Sequence, residues 1–284
     1  MSSHRRSLVL VVLIQLTLSM VVNNGIASAS SGHGTTLSAE ARLGMIQEAA
    51  HTPGLPSSTF SRATALGSTA ATDSSDPFTL VFDDEFSGNS LDMNKWVPYY
   101  GLEGGFTGTT FDGYTNCQEG NGELTLNVTA DYLLGRPFRS CGVGTWNSLV
   151  QSYGKYEFRA RIDSGYHWDG LGILWPKSSF WPPEVDACEY SPARDDCMFT
   201  LHYGMFNDRL MNHFKGDFTQ WHTIAIEWTP DRLSWLLDGV VQCETTVGVP
   251  QEPMWFGLMT DAFWDASNLG AYHVKWVHIY SYNG

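Results

Sequence analysis

Positive charge is what this sequence has least of. Lysine and arginine number 16 against 30 aspartates and glutamates, a formal net charge of −14. Such a chain gains nothing from neutralising phosphates, which argues against nucleic acid as a partner and makes sulfated or other polyanionic chains poor ligands. Neutral ligands stay open. Long helical periodicity is also missing: no segment sustains apolar residues at a 3.6-residue spacing, and there is no internal repeat. After residue 22 no apolar run is long enough to cross a bilayer. Cysteines number five, and their spacings do not suit zinc. An odd count leaves at least one thiol unpaired within a single chain. Cys117–Cys141 and Cys188–Cys197 are the pairs we expect, among several that five cysteines permit.

The N-terminus is organised differently from the rest. His4, Arg5 and Arg6 precede an apolar stretch over residues 7–22, broken only by Gln15, Thr17 and Ser19. Ala27-Ser28-Ala29 closes it with small residues. Residues 1–29 therefore read as a cleaved secretory signal, since the apolar stretch falls short of the ~20 residues of a membrane span. The mature protein is expected to be secreted, extracellular or associated with a cell wall, with no membrane contact. Residues 30–76 are mostly Ser, Thr, Ala and Gly and read as a linker without fixed structure.

The remainder, residues 77–284, has the composition of one large domain. Short strand-like runs alternate with Gly, Asn and Asp turns. In "YEFRARI", Tyr156, Phe158, Ala160 and Ile162 fall on one side, with Glu157, Arg159 and Arg161 on the other. The same alternation runs through "HVKWVHIY", and Asp238-Gly239 is a hairpin signal. Regularly spaced short strands over ~200 residues predict an all-β sandwich or barrel.

Within this pattern "EVDACE" poses a parity problem. Its intervening residues are apolar, as in a strand, and a strand alternates faces. Glu184 and Asp186 share a face, but Glu189, five residues after Glu184, should point the other way. One extra residue in a β-bulge would restore the parity and align all three acids. Glu189 would then lie ~13 Å from Glu184 between Cα atoms. Two inward-leaning side chains could approach the ~5–5.5 Å carboxyl separation of a retaining glycosidase. Crowded carboxylates raise one another's pKa, so one can hold a proton as acid while another stays an ionised nucleophile. The competing readings are a solvated acidic strand face and a calcium site. Calcium, however, wants more oxygens than three, usually drawn from a loop.

The order of these blocks resembles glycoside hydrolase family 16, the endo-β-glucanases, laminarinases and related transglycosylases. "FDDEFSGNSLDMNKW", "SYGKYEFRARIDSG", "LWP", "WPPEVDACE", "DFTQWHTIAIEWTPDRLSWLLDG" and "YHVKWVHIYSY" follow one another as in that family. The resemblance implies a β-jelly-roll sandwich of two curved antiparallel sheets, with a polysaccharide lying across one face. It implies Glu184 as nucleophile, Glu189 as general acid/base and Asp186 as the residue orienting the nucleophile, in a retaining reaction without metal or cofactor. Where many members carry a further cleft tryptophan this chain reads "DGLGILWP", with Trp168 as a possible replacement. At a calcium-ligating position of the terminal strand it has Lys275, expected to pair with Asp84 or Glu85 instead of binding calcium.

Sugars have apolar C–H faces and hydroxyl rims, which aromatic platforms suit. Trp146, Trp175, Trp181, Tyr190, Trp255 and Trp264 are the candidates for substrate contact, with Trp175 and Trp181 favoured by their place in the family's blocks. Core packing competes with each of these assignments. His202 is expected near Glu189, as a hydrogen-bonding group or a structural histidine. The expected activity is endo-hydrolysis of a β-1,3- or mixed-linkage glucan by a monomer. A transglycosylase using the same acids and a non-catalytic glucan-binding protein are the alternatives.

Overall fold

Alternation in one strand sets one wall of the core. Strand β9 (Gly154–Ile162) buries Tyr156, Phe158, Ala160 and Ile162 and turns the charged residues between them outward. In the computed structural model, which describes residues 76–102, 107–190 and 193–284, this strand lies inside an eight-stranded sheet. Its order is β16 (Val240–Thr245), β15 (Leu233–Leu237), β14 (His222–Trp228), β9, β18 (Ala271–Tyr282), β6 (Glu123–Asn127) and β5 (Cys117–Gly120). Strand β1 (Phe78–Asp84) also pairs with β18. The candidate signal and linker lie outside the described residues, Asp76 apart.

A second sheet of seven strands covers the first. Its order is β13 (Asp208–Lys215), β12 (Asp196–Tyr203), β11 (Glu184–Tyr190), β10 (Tyr166–Pro176), β17 (Met254–Ser267), β8 (Gly142–Gly144) and β2 (Val97–Pro98). Every pairing in both sheets is antiparallel. A small sheet of β3 (Tyr100–Leu102), β4 (Thr109–Asp112) and β7 (Phe138–Ser140) contains one parallel pair. This is the expected jelly-roll sandwich.

Aromatic residues from both sheets meet between them. The Phe158 and Phe256 ring centroids are 5.5 Å apart, and Phe199 stacks on Trp235 at 6.1 Å. The sheets can approach because β10 offers glycines to the core. A Cβ on Gly170 would come within 2.6 Å of the Tyr272 ring, and one on Gly172 within 2.7 Å of the Phe158 ring. These contacts fix the parity of β10: residues 168, 170, 172 and 174 face the core. Asp169, Leu171, Ile173 and Trp175 face the open side. Trp168 is therefore a core residue at 1% exposure, with the Arg194 guanidinium 4.5 Å from its ring, and does not replace a cleft tryptophan.

Local signals elsewhere came out as chemistry dictates. Asp238 and Gly239 both have positive φ and join β15 to β16 by a two-residue turn. Cys117 pairs with Cys141 and Cys188 with Cys197, leaving Cys243 as a buried free thiol. The expected partners of Lys275 are taken by others. Asp84 accepts from Trp96 Nε1 at 2.8 Å and lies 3.9 Å from Lys95 Nζ, while Glu85 meets His278 Nε2 at 2.6 Å. Lys275 is the extra residue of a bulge in β18, and its Nζ lies beside Gly122.

Gly172→Ala would drive a methyl group into Phe158. We expect a loss of about 1–3 kcal/mol of stability in urea unfolding; an unchanged midpoint would contradict this account of how closely the sheets pack.

Candidate active site

Register decides the parity problem. Along β11 and β12, Glu184 lies opposite His202, Val185 opposite Leu201 and Asp186 opposite Thr200; the next pair is Glu189 with Met198. Ala187 and Cys188 together oppose Phe199, the two-against-one count of a β-bulge. Cys188 takes a left-handed φ of 67°, which non-glycine residues rarely adopt, and its disulfide to Cys197 ties it to β12. Val185, Ala187 and Cys188 are all fully buried, and Glu184, Asp186 and Glu189 align on the open face. From the opposite sheet, Trp235 Nε1 crosses the core to donate to the Asp186 carbonyl at 3.1 Å. The strand is thus held just before its bulge.

Each acid has a different environment. Trp181 Nε1 donates to Glu184 Oε2 at 2.5 Å. Asp186, 3% exposed, sits between the glutamates and shares a hydrogen bond with Glu184. Burial first, then repulsion from Glu184 and Glu189, holds its carboxyl well above the usual range. Glu189 accepts from Thr200 Oγ1 at 2.8 Å. Burial raises its pKa against the opposing pull of that bond and of His213 and Arg209 on β13.

His202 belongs to the other end of the row from the one expected. It faces Glu184 and Asp186, with Nε2 3.7 Å from Asp186 Oδ2, and Nδ1 bonds Asn207 Oδ1 at 2.7 Å. Burial lowers its pKa and favours the neutral ring. Ligating atoms of Glu184, Asp186 and His202 lie within 4.8 Å of one another, the one cluster of metal-binding dimensions among the described residues. Three ligands are half of the six that calcium takes at the least.

The aromatic candidates divide. Trp175 and Trp255 are directly opposed on β10 and β17, on the acids' face. Trp146 packs on Trp255 at 5.2 Å, and Tyr99, absent from the sequence candidates, packs on both. Trp181 is 38% exposed and stands over His202 at 5.5 Å. A cavity of about 440 Å³ opens beside it, lined also by Tyr203, Met205 and Val249. Tyr190 is not in this group. Following the bulge it faces the core, 5.3 Å from Phe218, with its hydroxyl 3.4 Å from that of Tyr272. Trp264 sits near the far end of β17 against Arg136 and is not brought to the Trp175 platform. Thr200, Asp169 and Trp235 also went unrecognised in the sequence. Thr200 alone had a signal, since it alternates with Met198 and His202 in "MFTLH".

The open face thus carries a carboxylate row, one acid hydrogen-bonded by an indole and another by a hydroxyl, beside an aromatic floor. Residues 109–278 match the glycosyl hydrolases family 16, and the chain belongs to that family. It is 30% identical over 180 residues to a β-glucanase of Rhodothermus marinus, covering 56% of this chain and 62% of that one. Over 187 residues it is 28% identical to a glucan endo-1,3-β-glucosidase of Cryptopygus antarcticus, covering 58% of this chain and 68% of that one. Its fold matches the catalytic domain of an endo-1,3-β-glucanase (laminarinase) from Thermotoga petrophila with a TM-score of 0.65 at 20% identity, over 73% of this chain and 99% of that one.

The raised pKa of Asp186 has a consequence for stability. A carboxyl whose pKa is higher folded than unfolded favours the native state at low pH. It opposes folding as pH rises from the unfolded value toward the folded one. Asp186→Asn should therefore melt higher than wild type at pH 8, by about 2–4 °C for each kcal/mol of repulsion relieved. The difference should shrink toward pH 4. A variant that melts at or below wild type at pH 8 would contradict the assigned cause.

Proposed function

We propose that this protein is a secreted, retaining endo-β-glycanase that hydrolyses internal bonds of a β-1,3- or mixed-linkage glucan. The observation that carries the reading is the bulge that puts Glu184 and Glu189 on one open face with Asp186 between them. Glu184 attacks the anomeric carbon, and Trp181 Nε1 holds one of its oxygens in line. Asp186, keeping its proton, donates to Glu184 and adds no second negative charge beside the forming bond. Glu189 protonates the departing glycosidic oxygen, forming a glycosyl-enzyme ester on Glu184. It then takes a proton from the water that releases the sugar with net retention. Burial suits Glu189 to the first role, because it favours the protonated acid.

The aromatic floor of Trp146, Trp175 and Trp255 offers stacking faces to a neutral chain, and a net charge of −14 disfavours sulfated ones. Likeness to a β-glucanase and a glucan endo-1,3-β-glucosidase supports a glucan as substrate.

Reducing-end release from laminarin, lichenan, agarose, xyloglucan and xylan, followed by proton NMR of the first-formed anomer, tests the reading. We expect glucan cleavage with β-anomer products and a loss of at least about 10³-fold in kcat for Glu184→Gln. Undiminished turnover by that variant, or α-anomers, would refute it.

A further inference from the structure

The acid row does not end at Glu189. Asp169 stands on the same open face of β10, and Asp261 of β17 is directly opposite it. The β10–β11 ladder pairs Leu174 with Val185, Ile173 with Asp186 and Gly172 with Ala187, and there it stops. Beyond the bulge, the Tyr190 N–H is taken by a side chain: Asp169 Oδ1 and Oδ2 accept it at 2.9 and 3.0 Å. Oδ1 also accepts from Gly170 N at 2.7 Å, which orients the carboxylate. Tyr190 directly follows Glu189, and its ring is fixed in the core.

We propose that Asp169 is a positioning residue for Glu189, its carboxylate standing in for the backbone partner that the bulge removes from the β10 ladder. The inference rests on the acid/base reading of Glu189. Three contacts then fix that side chain: Thr200 on its carboxylate, the Tyr190 ring in the core, and Asp169 on the following N–H. Loss of the last frees the strand to slide at the bulge, where the ladder resists least.

The titratable and charged groups facing Glu189 are Asp186 on its own strand, Asp169 on β10, and Arg209 and His213 on β13. At Glu189 burial favours the protonated acid, while the Thr200 hydrogen bond, His213 and Arg209 oppose it. Burial, then Asp261, then Glu189 push the Asp169 carboxyl well up.

The test compares Asp169→Ala, Asp169→Asn and Glu189→Ala on two substrates: the best glucan from the screen above, and a β-glucoside with a dinitrophenyl leaving group. The second departs without a proton donor, and its first burst reports glycosylation alone. Asp169→Ala is expected to lose about 100-fold in kcat on the glucan with little change in KM, and less than about tenfold in the dinitrophenol burst. Asp169→Asn keeps an acceptor oxygen for the Tyr190 N–H and should recover most of the kcat. Equal losses on both substrates, or a lowered melting temperature with kcat intact, would overturn the inference and leave the acid/base reading standing. Wild-type turnover by Glu189→Ala would remove both.

Discussion

Two residues facing one across β11 and β12 are the constraint on which the rest depends. Without the extra residue at Ala187-Cys188, Glu189 would point between the sheets and Tyr190 toward the open face. With it, both exchange places. The left-handed Cys188 costs on the order of 1–3 kcal/mol, and several contacts oppose its relaxation. The Cys188–Cys197 disulfide ties the bulge to β12, and the Trp235 indole holds the Asp186 carbonyl from the far sheet. Glycines 170 and 172 let that sheet come close enough to do so.

Aligning the acids on one face is unfavourable to folding. Burial and mutual repulsion raise the carboxyls of Asp186, Glu189 and Asp169 together. Well-ordered hydrogen bonds from Trp181, Thr200 and the Tyr190 N–H decide which oxygen is held where. Glu184 and Glu189 thus differ only through their surroundings, an indole against one and a hydroxyl against the other, since both are glutamates on one strand.

Much of this was legible in the sequence because it has a period. Alternation in 154–162 gave the core face of β9, Asp238-Gly239 gave its hairpin, and the five-residue interval between Glu184 and Glu189 suggested the bulge that the register shows. What was missed depends on register between distant strands. Tyr190 looked like a cleft residue because it follows Glu189, yet by strand parity a residue adjacent to one facing out must face in. Trp168 lies on the core face for a different reason. Its face is decided by which side of β10 carries the glycines, and the sequence alone does not say what those glycines meet. His202 moved to the other end of the row because antiparallel pairing sets it against Glu184. Asp169 carried no signal at all: its partner is a backbone N–H 21 residues away, exposed only by the bulge.

The central claim is that one strand presents Glu184 as nucleophile and Glu189 as acid on the same face. Trapping tests it most directly, using an aryl 2-deoxy-2-fluoro-β-laminaribioside, whose fluorine slows breakdown of the glycosyl-enzyme. Mass spectrometry of the digested adduct should find a single added disaccharide, on Glu184. A label on Glu189 or Asp186, or inactivation by no such reagent although glucan is cleaved, would contradict it.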